Sequence, residues 1–124
     1  HCYRVPYPYH RILVSKAKEK GTFFESLIVE ALCRAGWSYA ERRSLNGAVD
    51  KGDITGVPGV VIEAKNHGTL KLGPWIKEAE VEKANAGAEV GVVWAKRRGK
   101  GSADDAYVIM TGTEFMFLLK KAGY

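Results

Sequence analysis

The chain has 124 residues, with a hydrophobic fraction of 46%, a charged fraction of 27% and a net charge of +5. That length suits one domain with its own apolar core, and the balance excludes disordered and collagen-like classes. The positive balance fits a polyanionic partner, usually nucleic acid, and carries no information about fold.

In chain order, residues 1–20 read as a basic N-terminal arm and residues 21–124 as a single domain. The arm holds Arg4, Arg11, Lys16, Lys18 and Lys20 against one acid, Glu19. Pro6 and Pro8 disfavour helix there. Its tyrosines and arginines suit stacking on bases and packing on a second subunit equally, with plain disorder as the third reading. A first helix is predicted over about Thr22 to Arg34, opened by the capping box Thr22-x-x-Glu25 and stopped at Gly36. Phe24, Leu27, Ile28, Ala31 and Leu32 form its apolar face. Cys33 lies in this pattern, where a free thiol behaves as a small hydrophobe. With Cys2 it makes no disulfide framework, and a reducing setting is the default. No zinc set arises from His1, Cys2 and His10.

Strands are predicted over Trp37–Arg43, Asp53–Val57 and Val60–Lys65, the last being a β-branched run. A second helix has Pro74 in its first turn and continues to about Ala86. Strands at Val90–Ala95 and Ala106–Met110 flank a basic loop containing Lys96, Arg97, Arg98 and Lys100. Thr111 and Glu114 open a last helix. This order predicts an α/β fold, a central mixed β-sheet of about five strands flanked by helices. No apolar run reaches the ~18 residues of a membrane span and no secretory leader is visible. The expectation is therefore a cytoplasmic, nucleoid-associated or phage-encoded protein with no membrane partner.

The informative stretch is Gly52-Asp53-Ile54-Thr55-Gly56-Val57-Pro58-Gly59-Val60-Val61-Ile62-Glu63-Ala64-Lys65. Residues two apart in a strand share a face, so Glu63 and Lys65 project together while Ala64 points away. Burying charged groups without partners costs several kcal/mol. A neighbouring acid and a divalent cation offset that cost, and Asp53 stands on the adjacent strand. Two carboxylates with a backbone carbonyl, here that of Ala64, are ligands that Mg²⁺ accepts, with Mn²⁺ substituting. Such a cation polarises a phosphodiester and acidifies a bound water, and Lys65 then orients or deprotonates that water. The plain alternative is a surface Glu–Lys pair with an Asp in a turn.

The stretch resembles the PD-(D/E)xK nuclease superfamily, through Asp53 followed by Glu63-Ala64-Lys65. The layout from the Gly21–Leu27 segment to the Val90–Ala95 strand resembles the Holliday junction resolvase branch. The resemblance implies a restriction-endonuclease-like core, metal-dependent DNA cleavage with Asp53, Glu63 and Lys65 as catalytic residues, Glu25 assisting the metal, and a homodimer acting on branched DNA. Gly52 stands where the family has proline, which leaves Asp50 as a rival first acid. The capping box offers a purely structural account of Glu25. Restriction, repair or replication-linked nucleases and a non-catalytic nucleic-acid-binding module remain alternatives.

Candidate DNA contacts are Arg42, Arg43, His67, Lys71, Lys96, Arg97, Arg98 and Lys100, expected to touch backbone phosphates without reading sequence. Ser44 is a further candidate before the motif. Trp75 fits core or interface better than a stacking platform. From the second helix, Lys77 and Glu80 either face the site or lie on the surface.

Overall fold

The computed structural model describes residues 16–44 and 49–124, with no account of the side chains of residues 16–18. The arm over residues 1–15 and part of the loop before Asp50 therefore lie outside the described residues. Five strands form one sheet in the order β1-β2-β3-β4-β5, with β1 Glu41–Arg42, β2 Ile54–Thr55, β3 Val60–Lys65, β4 Val90–Ala95 and β5 Tyr107–Ile109. β3 and β4 run parallel, in register from Val60–Val90 to Lys65–Ala95. The other three pairings are antiparallel. Parallel neighbours need a crossover, and α2, Leu72–Ala86, supplies it. The mixed sheet with three helices matches the predicted α/β class.

The two central strands have the bounds expected from their apolar runs. The edges differ. β1 keeps two residues of the strand predicted over Trp37–Arg43, because a turn in which Ala40 N–H donates to the Trp37 carbonyl (3.1 Å) occupies its first half. Trp37 and Tyr39, whose alternation suggested a strand, are both exposed. β2 keeps Ile54 and Thr55 alone.

Helix α1 spans Lys16–Arg34 and so passes through Gly21. An interior glycine costs about 1 kcal/mol relative to alanine, which a helix of 19 residues with a buried face absorbs. Thr22 is therefore inside the helix and the predicted capping box does not form. Its carbonyl accepts from Ser26 Oγ (3.1 Å) and its hydroxyl from Arg42. Cys33 is disulfide-bonded rather than a free thiol. The apolar pattern places Cys33 on the helix but carries no information on its pairing, and the other cysteine, Cys2, lies outside the described residues. No described helix is long and apolar enough to cross a membrane.

The capping box at α3, Gly112–Lys121, does form on one side: Thr111 Oγ1 accepts from Glu114 N–H at 3.3 Å. Glu114 itself turns inward, accepting Gly91 N–H (2.6 Å) and Lys83 Nζ (3.1 Å). It satisfies a buried β4 donor beyond the three-residue pairing with β5, as buried backbone groups require.

The two helices α1 and α2 cover different faces of the sheet. Phe24, Ile28 and Leu32 of α1 pack with Ile54, Ile62, Val90 and Val92. Trp75 and Ala79 of α2 pack with Val93 and Ala95. Period-2 alternation in β3 and β4 divides the residues between these clusters.

Candidate metal centre

Glu63 and Lys65 lie on the α2 face of β3, as strand spacing requires. Glu63 is 5% exposed. Lys65 Nζ is 3.2 Å from Glu63 Oε2 and 2.8 Å from Glu78 Oε1, and it sits over the Trp75 ring at 5.9 Å. Four carboxylates, of Asp50, Glu63, Glu78 and Glu82, bring one oxygen each within 4.8 Å of one another.

Asp53 stands beside Glu63. Ala64 N–H donates to its Oδ2 at 2.8 Å, and its own N–H donates to the Ile62 carbonyl at 2.9 Å. The side chain thus continues the β2–β3 ladder just before β2 begins, and Asp53 is the strongest charge acting on Glu63. Asp50 is held differently. Its Oδ1 accepts Gly52 N–H at 2.9 Å, and Asn85 Nδ2 of α2 donates to its carbonyl at 2.9 Å. The two rival acids therefore both belong to the centre, Asp50 within the four-carboxylate group and Asp53 beside it.

Gly52 has φ +97°, and a Cβ there would meet Val61 Cγ1 at 2.9 Å and the Ile62 carbonyl oxygen at 3.1 Å. Proline, fixed near φ −65°, cannot occupy that conformation. Position 52 therefore admits glycine and excludes proline.

Glu25 is released from the capping role. Its Oε1 accepts from Arg42 Nε at 2.9 Å, and it lies close enough to Asp53 to feel its charge. Burial raises its pKa, against the lowering effect of Arg42. It therefore borders the centre from α1.

Sequence reasoning missed Glu78 and Glu82. Lys77 and Glu80, the α2 residues singled out, are exposed. The signal was present: Trp75, Ala79 and Glu82 recur at the spacing of one buried helix face, and Glu78 and Glu82 stand one turn apart on it. Glu82 is 1% exposed.

Charge makes this centre unusual. Burial, then the charges of Asp53 and Glu82, push the Glu63 carboxyl well above its ordinary value. Burial likewise raises Glu82, with Asp50 and Glu78 adding to it, and burial raises Asp53 despite its amide donor. Burial tends to lower Lys65, but the contacts with Glu78 and Glu63 outweigh it, so the net shift is upward and the ammonium stays charged. Glu63 Oε1 and both Glu82 oxygens are buried without an N–H or hydroxyl donor, and the side chains that Glu82 meets, Glu63 and Asp50, are themselves carboxyl groups. Protein interiors seldom leave such groups unmet, and a single lysine does not neutralise five neighbouring carboxylates. Shared protons or a divalent cation resolve the conflict. A donor set made of carboxylate oxygens suits a hard cation such as Mg²⁺ or Mn²⁺.

Of the remaining sequence candidates, His67, Lys96 and Arg98 line one groove and the others are spread over the surface. His67 stacks obliquely near Trp75, with ring centroids 5.4 Å apart. Arg43 and Ser44 are exposed beside β1, and Lys71 is exposed at the N-cap of α2. Arg97 lies over the Tyr107 ring at 5.5 Å. Lys96 Nζ folds back onto the Lys100 carbonyl at 2.8 Å, Lys100 itself being exposed. Arg98 Nη2 reaches the Gly68 carbonyl at 3.4 Å. No family model, curated protein or solved structure matches the chain.

Proposed function

We propose that this protein is a Mg²⁺-dependent DNA endonuclease that hydrolyses phosphodiesters, with Mn²⁺ able to substitute. The observation that carries the reading is the trio of buried oxygens on Glu63 and Glu82 that meet no N–H or hydroxyl donor, beside the Lys65 ammonium. Asp50, Glu63, Glu78 and Glu82 would hold the cation, with Asp53 beside them and Glu25 at the border. When bound, the cation supplies Lewis-acid polarisation of the phosphate and of an attacking water.

The protein's own groups do the rest. Lys65 presents a fixed positive charge next to the carboxylates, where negative charge develops on the phosphoryl oxygens. Glu78 holds Lys65 Nζ in place, and Trp75 closes one side of the ammonium to water. Ala64 N–H fixes the Asp53 carboxylate, so its position does not depend on a flexible side chain.

The resemblance of Asp53 and Glu63-Ala64-Lys65 to PD-(D/E)xK nucleases agrees with this chemistry, and its resolvase-like layout favours branched DNA cut by a homodimer. A restriction, repair or replication-linked role on the same chemistry is separated from this by substrate.

Incubation with Mg²⁺ and four-way junction, fork, linear duplex and single strand is the direct test. Branched substrates are expected to be cut in preference to linear duplex. Glu63→Gln is expected to lower the rate at least about 100-fold, more than removal of an outer-shell metal partner does, and to weaken Mn²⁺ binding in calorimetry. Cleavage that is indifferent to Glu63→Gln, or no cleavage of any substrate by a wild-type protein that binds Mn²⁺, would overturn the proposal.

A further inference from the structure

We propose that a basic, aromatic groove beside the carboxylate centre takes one unpaired strand of nucleic acid. The groove encloses about 630 Å³, within the ~300–1,000 Å³ typical of ligand clefts. It lies where β3 and β4 end, between α1, the loop after β3, the loop after β4 and the start of β5. Lys20, Lys96, Arg98 and His67 line it together with Phe23 and Tyr107, and none of its lining residues is acidic. A site that gathers cations without acids, next to a centre that gathers acids, is built for an anion that passes from one to the other.

The aromatic rings say which anion. Phe23 is 47% exposed and Tyr107 43% exposed. A polymer that alternates phosphates with flat rings matches cations interleaved with aromatic side chains, and base stacking on such rings is sequence-tolerant. An acidic peptide offers charge without the stacking partner. A duplex keeps its base faces stacked on one another, so only an unpaired strand can present a base to Tyr107.

The walls are tied in place before any ligand arrives. Asn66 Nδ2 donates to the Lys20 carbonyl at 3.3 Å, joining α1 to the β3 loop. Arg98 bridges to the Gly68 carbonyl, and Lys96 N–H donates to the Lys65 carbonyl at 2.8 Å. Arg97 carries its guanidinium over Tyr107. His67 links the groove to the centre: it lines the groove, its ring meets Trp75, and Trp75 lies under Lys65.

This inference rests on the nuclease reading for its consequence, that branches carrying an unpaired strand are preferred over a fully paired four-way junction. Its binding test does not. Fluorescence anisotropy in EDTA, at fixed salt because phosphate contacts are salt-dependent, compares a labelled single strand with a blunt duplex of the same length. The single strand is expected to bind about ten-fold more tightly. Arg98→Ala and Tyr107→Leu are each expected to weaken it about ten-fold, the scale of one lost stack or contact, while Tyr107→Phe keeps wild-type affinity. Thermal melts confirm that each variant is folded, and Arg98→Ala on an exposed loop serves if Tyr107→Leu is not. Equal affinity for duplex and single strand, or unchanged affinity in Arg98→Ala, overturns the groove. Groove-dependent binding with no Mg²⁺-dependent cleavage sustains the groove and sinks the nuclease.

Discussion

The two faces of β3 differ more from each other than either differs from a neighbouring element. Toward α1, Ile62 joins a dry cluster with Phe24, Ile28 and Ile54, all at 2% exposure or less. Toward α2, one residue further along, Glu63 faces Glu82 and Lys65 across a buried cluster of charge. One six-residue strand therefore serves both stability and chemistry. The lesson is a division of labour: the α1 face stabilises the fold strongly enough that the α2 face can hold groups that oppose folding.

The largest effect expected from breaking this comparison is on the dry side. Ile28 is completely buried, and Ile28→Ala should cost about 2–5 kcal/mol through lost transfer energy and a cavity. Urea unfolding measures it. Mn²⁺ affinity of the folded fraction should not change; a parallel loss of metal binding would show that the faces are not independent.

Next in size is the opposite substitution on the wet side. Glu82→Leu removes a buried carboxylate with no donor and fills its space with an apolar group. In EDTA it should raise stability by about 1–2 kcal/mol, the usual yield when a functional conflict is relieved, while weakening divalent-metal binding. A destabilised Glu82→Leu protein would mean that the carboxylate is satisfied in the folded state.

The last effect is on pH. Burial and like charges raise the folded pKa of Glu82 to about 8 and of Glu63 to about 11, from an ordinary 4.5. The folded state then binds more protons than the unfolded state above the ordinary carboxylate range, so stability falls as pH rises through that window. Between pH 5 and pH 8 in EDTA, Tm should drop by at least about 4 °C, the shift that ~1 kcal/mol produces in a domain of this size. Mg²⁺ should raise Tm more at pH 8 than at pH 5. Glu82→Gln isolates the contribution, and a wild-type slope no steeper than that variant's would contradict it.

Local signals were enough for the elements whose residues act through their neighbours in the chain. The β-branched run Val60–Ile62 and the run Val90–Trp94 marked the two central strands, because a strand buried on both faces has to be apolar throughout. The pairing of Glu63 with Lys65 followed from the two-residue period. The Thr22–Glu25 capping box misled, because a helix start is decided by whether the preceding residues gain from packing, and α1 extends past Gly21 to Lys16. The edge strand β1 shortened because the turn at Trp37–Ala40 takes its first half.

By itself, then, the sequence determined the α/β order, the central strands, and the shared face of Glu63 and Lys65, all properties of backbone periodicity within a few residues. Only the tertiary structure decided which acids join them. Asp50 enters because Gly52 turns the loop at φ +97° and Asn85 pins it to α2. Glu78 and Glu82 enter because the crossover helix lays its Trp75–Ala79 face on β3 and β4. Those positions follow from how the helix docks on the sheet, which chain spacing does not encode.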